Sequence, residues 1–575
     1  MTFIATKTDG ASRPPLRAGD FIPVAGVRAS SEASALTIAA HAASGRGMSG
    51  LIGRDDTHDA AADGSTMWLA DGRDGDVWIE FDFGATYPLG EMYVWNYNQA
   101  LPGFPGMWRR GLRRVVVERS LDGERWTELT GDGYPYELAP ADESAALAAT
   151  GLNDGKRSPI RWNGEAARYV RIRADLDRGG HWGGADAFDR YGGLSAVRFY
   201  AGSGWAAEAA PAWDALFRRE SGWTGSDGIY SIPIDGRDSH GDAASNKTLF
   251  LFGDTFLGDL DPATGRRLGM TMINNSMALL DGAEPDPERI RFLWNDADAA
   301  SPKSAIVPST EKAAAVEGSY YWLQDGACVD GSFYCFPMII GPNPDGPEGF
   351  QFAVHGVALC RAPMTPDGPD LASLAQIDTP FYGLTAAGRR AYYGAAVMPH
   401  TAEAGVPRPD GYVYVYGLLN DGRTRAVAAR VLPEHLSDCA RWMFWNGSEW
   451  TPNPAEAAPI SSETSPEYSV SPMRGGPHHG KYVLAYMRGE APRCVAIQLG
   501  DSPVGPFGEE VALYVCPEAR PNGGGRYVYN AKAHPSLSMP GELLVSYNVN
   551  STSMDDHVRC GDLYRPRFIH VRYIE

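Results

Sequence analysis

Four acidic residues stand in settings where a carboxylate is costly unless it does chemistry. Asp227 lies in Gly225-Ser-Asp-Gly-Ile-Tyr, Asp254 in Leu251-Phe-Gly-Asp-Thr-Phe, Asp325 in Leu323-Gln-Asp-Gly, and Glu467 in Ser465-Pro-Glu-Tyr-Ser-Val. Asp254 follows the apolar run Leu249-Phe-Leu-Phe, where an unpaired charge is expensive to bury. Glu467 opens an apolar-alternating stretch, and Asp227 and Asp325 each precede a glycine, where an aspartate can also serve a turn. Two convergent carboxyls can cleave a glycosidic bond. One protonates the leaving oxygen, while the other activates water or attacks the anomeric carbon. Close approach keeps one of the two protonated near neutral pH. Asn275, His400, Tyr529, Asn530 and His534 could hydrogen-bond the hydroxyls of an oligo- or polysaccharide beside them.

A second chemistry uses the histidines. His400, His478, His479 and His534 with Asp254 could hold a metal that activates water for deacetylation of an amino sugar. No HxxxH or HxH spacing supports it, and His478-His479 sits in a Gly-Gly-Pro turn, so the reading assigns no metal ligands. A third reading is a sugar-binding protein without catalysis. GxSxG, P-loop, HExxH and Rossmann glycine motifs are all missing from the sequence.

The elements that must position the carboxylates are strands. Beyond residue 213 five groups of short strands follow one another, starting at Asp227, Asp325, Gly394, Glu467 and Asn530. A four-stranded propeller blade takes about 40–50 residues, so the segment accommodates five blades with long loops. The first strand of each blade lines a central channel, which would aim Asp227, Asp325, Glu467 and His534 at one axis. The last group lacks a fourth strand, which residues before Asp227 would supply. Short helices are expected at 211–219 and 370–376.

The segment before residue 203 alternates with period two between Gly, Asp and Pro breaks, as in Val77-Trp-Ile-Glu-Phe-Asp-Phe and Tyr169-Val-Arg-Ile-Arg-Ala. "LIGRDDTHDAAADGSTMWLAD", "VWIEFDFG", "LGEMYVWNYNQ", "VVVERSLDGERWTEL", "ARYVRIRA" and "YGGLSAVRFYAG" occur in that order. The segment resembles the discoidin (coagulation factor 5/8 type C) domain, including carbohydrate-binding modules of family 32. The resemblance implies a jelly-roll sandwich binding sugars or a partner surface through loops at one end, with a structural calcium. Trp108, His181 and Trp182 are the loop residues that could meet a sugar or plug the sandwich end.

Further along, "GWTGSDGIYSIPI", "LFLFGDTFLG", "INNSMALL", "EYSVSP", "GKYVLAY" and "NAKAHPSLS" resemble the five-bladed propeller family that includes bacterial endo-D-arabinanases. The resemblance implies that Asp227 and Asp254 form a catalytic pair acting on a furanose-containing, arabinan-like glycan, with no cofactor required. The expected organisation is an all-β chain: a sandwich over 19–203, a joint and closing strand over 204–226, and a five-bladed propeller over 227–575.

Composition agrees with this and excludes other classes. The formal net charge is −20, which disfavours a nucleic-acid or anionic-membrane binder. Gly 67 and Pro 42 favour many tight turns, while 43% hydrophobic residues allow a sizeable core. Seven cysteines, all from Cys328 onward and without a CxxC pair, read as reduced thiols. No apolar run is long enough to span a membrane. The first 25 residues lack an apolar signal region, so the chain reads as cytoplasmic if whole and as secreted if a leader was removed. The oligomeric state is not legible.

Overall fold

The computed structural model describes residues 16–143, 159–183, 190–298, 301–346, 351–489, 493–519 and 525–575. Residues 1–15, part of the segment read for a leader, lie outside it. Contacts divide the chain into two compact units, one ending at Ala206 and including Tyr573–Glu575, the other spanning Ala207–Arg572. As expected, the chain is almost wholly β, and no described helix is long and apolar enough to cross a membrane.

In the first unit, the long strand Trp78–Asn96 serves two partner sets. Its first part pairs with Gly26–Ala29 and Ala166–Ala174, its last part with Gly193–Ala201. The register breaks between Asp82 and Tyr87, where Gly84 takes φ 76°, a left-handed value that suits glycine. Alternation sends Ile79, Phe81 and Phe83 inward, where both phenylalanines meet Phe199 edge-on. The turn after Arg114–Ser120 is built by Asp122, whose Oδ1 accepts the amides of Glu124 and Arg125. Trp182 donates its indole N–H to the Leu138 carbonyl and packs edge-on against Trp108, and both residues are half-buried.

The second unit holds five antiparallel sheets in chain order. Counted from the strand that touches the neighbouring sheets, their first strands are Ser221–Pro233, Gly326–Val329, Arg390–His400, Tyr468–Pro472 and Arg526–Ala533, the second and third preceded in the chain by the short strands Tyr320–Trp322 and Tyr382–Leu384. Each first strand lies beside the next, and the fifth returns to the first, closing a cycle. The fifth sheet gains its fourth strand from Gly204–Ala209, next to Pro566–Ile574. In the strand Lys247–Leu260, Leu249 and Leu251 pack toward the second sheet, while Phe250 and Phe252 join Phe217 and Trp223 on the other face. A strand buried on both faces reads as a continuous apolar run, and each such side chain contributes about 1.5–3 kcal/mol of burial.

Several expectations need correction, among them the starts at Gly394 and Asn530, which lie inside strands that begin at Arg390 and Arg526. The first strand begins at Ser221, not at Asp227, because residues 221–226 already pair with Thr255–Asp259 of the next strand. The helix read at 370–376 is one 3-10 turn, Leu371–Ser373, capped by Asp370, after which Ala375–Asp378 pairs as a strand with Phe352–Thr365. The helix at 211–219 is present as Pro211–Leu216. All seven cysteines are free thiols, five of them buried.

Candidate active site

In the first sheet, every residue of Trp223–Tyr230 is buried except Asp227, and every residue of Thr248–Leu257 except Asp254. Each carboxylate is thus the one half-buried residue of its run. The register explains why the two meet. Ser226 pairs with Thr255 and Gly228 with Phe252, so Asp227 alone opposes both Gly253 and Asp254. This is a β-bulge, which re-aims side chains that strict alternation would separate. Gly228 and Ile229 follow at φ 84° and 64°.

Tyr529 donates its hydroxyl to Asp227 Oδ2 at 2.7 Å, and Asn550 Nδ2 donates to the Tyr529 oxygen at 3.0 Å. Tyr564, fully enclosed, is a second hydroxyl at the Asp227 carboxyl. Asp254 Oδ1 accepts Trp322 Nε1 at 3.0 Å and Asn274 Nδ2 at 3.2 Å. Burial, then the charges of Asp254 and Glu467, push Asp227 well above the usual carboxylate range. Burial also raises Asp254, and the Trp322 and Asn274 donors oppose that rise. The pair keeps a proton at pH values where isolated carboxylates have lost theirs.

Glu467 immediately precedes the fourth first strand, and its Oε2 lies 2.7 Å from Lys532 Nζ. The Lys532 side chain is only 2% exposed. Asp325 immediately precedes the second first strand. Its two oxygens accept the amides of Gly326 at 2.8 Å and Val397 at 2.7 Å, and burial raises it to about 8. Together with Tyr230, Ser231, Asp238, Ser469 and Lys532 it lines one pocket, in which burial raises Asp238 to about 7.

The family model DUF5005, a domain of unknown function, matches residues 211–573. The chain belongs to that family. No curated protein matches it in sequence. Among solved structures, a Bacteroides ovatus protein provisionally designated a hydrolase shares 20% identity at a TM-score of 0.49, over 64% of this chain and 90% of its own. A family 32 carbohydrate-binding module from a Clostridium perfringens family 31 glycoside hydrolase shares 21% identity at 0.18, over 30% and 88% of the two chains. The corresponding module of AlyQ, solved with 4,5-unsaturated mannuronic acid, shares 14% at 0.19, over 32% and 98%.

Within the DUF5005 domain, not every residue singled out from the sequence reaches the carboxyl pair. Asn275 spends its amide on the backbone of Ile306 and Tyr321, donating at 2.9 and 3.0 Å and accepting at 2.8 Å, so it pins a loop. Its neighbour Asn274 is the one on Asp254. His400 is bonded to Asp410 at 2.9 Å and to the Tyr482 hydroxyl at 2.7 Å. His534 lies between the hydroxyls of Ser231 and Ser546 at 2.9 and 2.8 Å, and burial lowers it to about 3, so it is a neutral packing residue. Asn530 sits at φ 59°, and its carbonyl accepts from Lys532. The ring nitrogens of His400 and His534 are thus engaged, His479 Nδ1 accepts the Gly475 amide, and no described group of three or more His, Cys, Asp or Glu could hold a metal. Asn274, Trp322, Lys532 and Tyr564 were not found from sequence. The lysine in Asn530-Ala-Lys-Ala-His was the one legible signal, a charge among small residues at the buried end of its strand.

Proposed function

We propose that the five sheets form a five-bladed propeller and that its channel is the active site of a glycoside hydrolase. The observation that carries this reading is the Asp227–Asp254 pair, held at one bulge with both carboxyls made weaker acids by burial. Asp227, facing two other carboxylates and tyrosine hydroxyls, is the general acid. Asp254, whose Oδ1 accepts two N–H donors, is the anion that activates water or attacks the anomeric carbon. Glu467 and Asp325 tune the charge around them. The substrate class, a furanose-containing and arabinan-like glycan, follows from the motif resemblance, and the N-terminal sandwich would hold the polymer near the channel. A panel of furanosides and amino-sugar glycosides, with reducing ends and product anomer followed, tests it. Glycoside cleavage lost in Asp254→Asn supports the reading. Acetate release without glycoside cleavage, or sugar binding without turnover, replaces it.

A further inference from the structure

Lys532 is the one buried cation among these carboxylates within the described residues, and all three of its N–H groups are spoken for. Its Nζ donates to Glu467 Oε2 at 2.7 Å, to the Gly228 carbonyl at 2.5 Å and to the Asn530 carbonyl at 3.2 Å. The ammonium lies 4.3 Å from the centre of the Tyr230 ring. A buried lysine is tolerated when its charge is paired and its donors are filled, and here both conditions are met by the site itself.

The choice of acceptors is informative. Gly228 directly follows Asp227, and the backbone there is unusual: Gly228 at φ 84° is followed by the β-branched Ile229 at φ 64°. A β-branched residue in the left-handed region is strained and persists only when its surroundings hold it. The bond from Lys532 to the Gly228 carbonyl is such a hold. The same ammonium grips the glutamate whose charge acts on Asp227.

We infer that Lys532 is a positioning residue: by binding Glu467 and the Gly228 carbonyl together, it fixes where Glu467 presents its negative charge to Asp227. The inference rests on the reading of Asp227 as the acid of the site. Other groups around this link are Asp227 and Tyr230 from the first sheet, Asp325 before the second, Tyr392 from the third, and His534 just past the end of the lysine's own strand. None of these supplies a second cation, so Lys532 is the one partner of opposite charge that Glu467 has among the described residues.

The test needs no substrate in its first arm. Thermal stability of the full chain is followed from about pH 4 to 9 in wild type, Glu467→Gln, Lys532→Met, Lys532→Arg and the double variant, each with and without Asp227→Asn. The readout is the part of the pH dependence that Asp227→Asn removes. Glu467→Gln and Lys532→Met should both shrink it, the double variant no further than Glu467→Gln alone, and Lys532→Arg should keep most of it. The double variant should also regain much of the melting temperature lost in Lys532→Met, because no uncompensated charge remains buried. If Lys532→Met does not fold, the comparison of Lys532→Arg with Glu467→Gln carries the test. A pH dependence unchanged in Glu467→Gln, or a Lys532→Met effect that adds to it, overturns the inference. In the second arm, turnover in Lys532→Met should fall about tenfold or more with KM nearly unchanged. Wild type that cleaves no glycoside while the first arm holds would end the hydrolase reading and leave this link standing.

Discussion

The carboxyl of Asp227 rests on the bare α-carbon of Gly253: a methyl group added there would lie 2.5 Å from Asp227 Oδ1. The glycine before Asp254 is therefore a seat for the opposing acid. Since that oxygen ends a side chain able to swing away, Gly253→Ala should fold with nearly wild-type melting temperature. It should still lose about a hundredfold in turnover, the cost of misplacing a reacting group by about an ångström. Kinetics alongside a circular-dichroism melt check both halves of the statement.

Asp227→Asn and Asp254→Asn each remove one proton-transfer or charge-bearing group while keeping shape. Both should fold, and both should lose at least about 10²-fold in turnover. If each keeps more than about a tenth of the wild-type rate, a loss far below that expected of an acid or base, then Asp325 and Glu467 become the pair to test.

Stability should fall as pH rises through neutrality. Asp227 and Asp254 are held above their ordinary value of 3.8 by burial, so the folded chain binds protons that the unfolded chain has released. Their contribution is complete below the unfolded value and is lost as pH climbs through the folded values. Asp238, raised to about 7, and Asp325, raised to about 8, act in the same direction. Melting temperatures from about pH 4 to 8 should decline, and Asp227→Asn should flatten the slope.

Trp322→Phe keeps the ring against Phe352 but deletes the N–H that Asp254 accepts. A hydrogen bond to a charged group is worth about 1.5–3 kcal/mol, so turnover should drop by about tenfold or more. The acid side of the pH–rate profile should move upward, because the Asp254 anion loses a donor. An unchanged profile would mean that this bond is structural.

Removing residues up to 203 should leave turnover of a small soluble substrate largely intact, since the carboxyl pair and its donors all lie beyond residue 226. Binding to a polymer should weaken. Loss of turnover on the small substrate, with the remainder folded, would show that the sandwich takes part in the site.

Much of this architecture could be read from the sequence, because alternation marks the strands before residue 203 and short apolar runs between turn residues mark the five later groups. The sequence also suggested Asp227 and Asp254 as partners, through a resemblance and through a charge after an apolar run. What escaped it lies at the bulges. Asn530, Lys532 and His534 share one parity, so alternation along that segment could not tell Lys532, which meets Glu467, from His534, which lies between Ser231 and Ser546. The step between Asn274 and Asn275 is similar: one amide serves a carboxylate and the other a loop, and single-residue parity at a strand start does not tell them apart. Trp322 comes from another sheet and Tyr564 from the loop before Pro566–Ile574, so no local spacing could bring them to Asp227 or Asp254.

The strand Gly204–Ala209 beside Pro566–Ile574 carries a practical consequence for anyone cutting the chain. The matched family region begins at residue 211, just past this strand. A fragment started there would leave Pro566–Ile574 with an open row of amides and carbonyls, a template for edge-to-edge aggregation. A fragment started at residue 204 would keep that edge covered. Between these two starting points lie seven residues, and they decide whether Pro566–Ile574 meets a paired neighbour or an open edge.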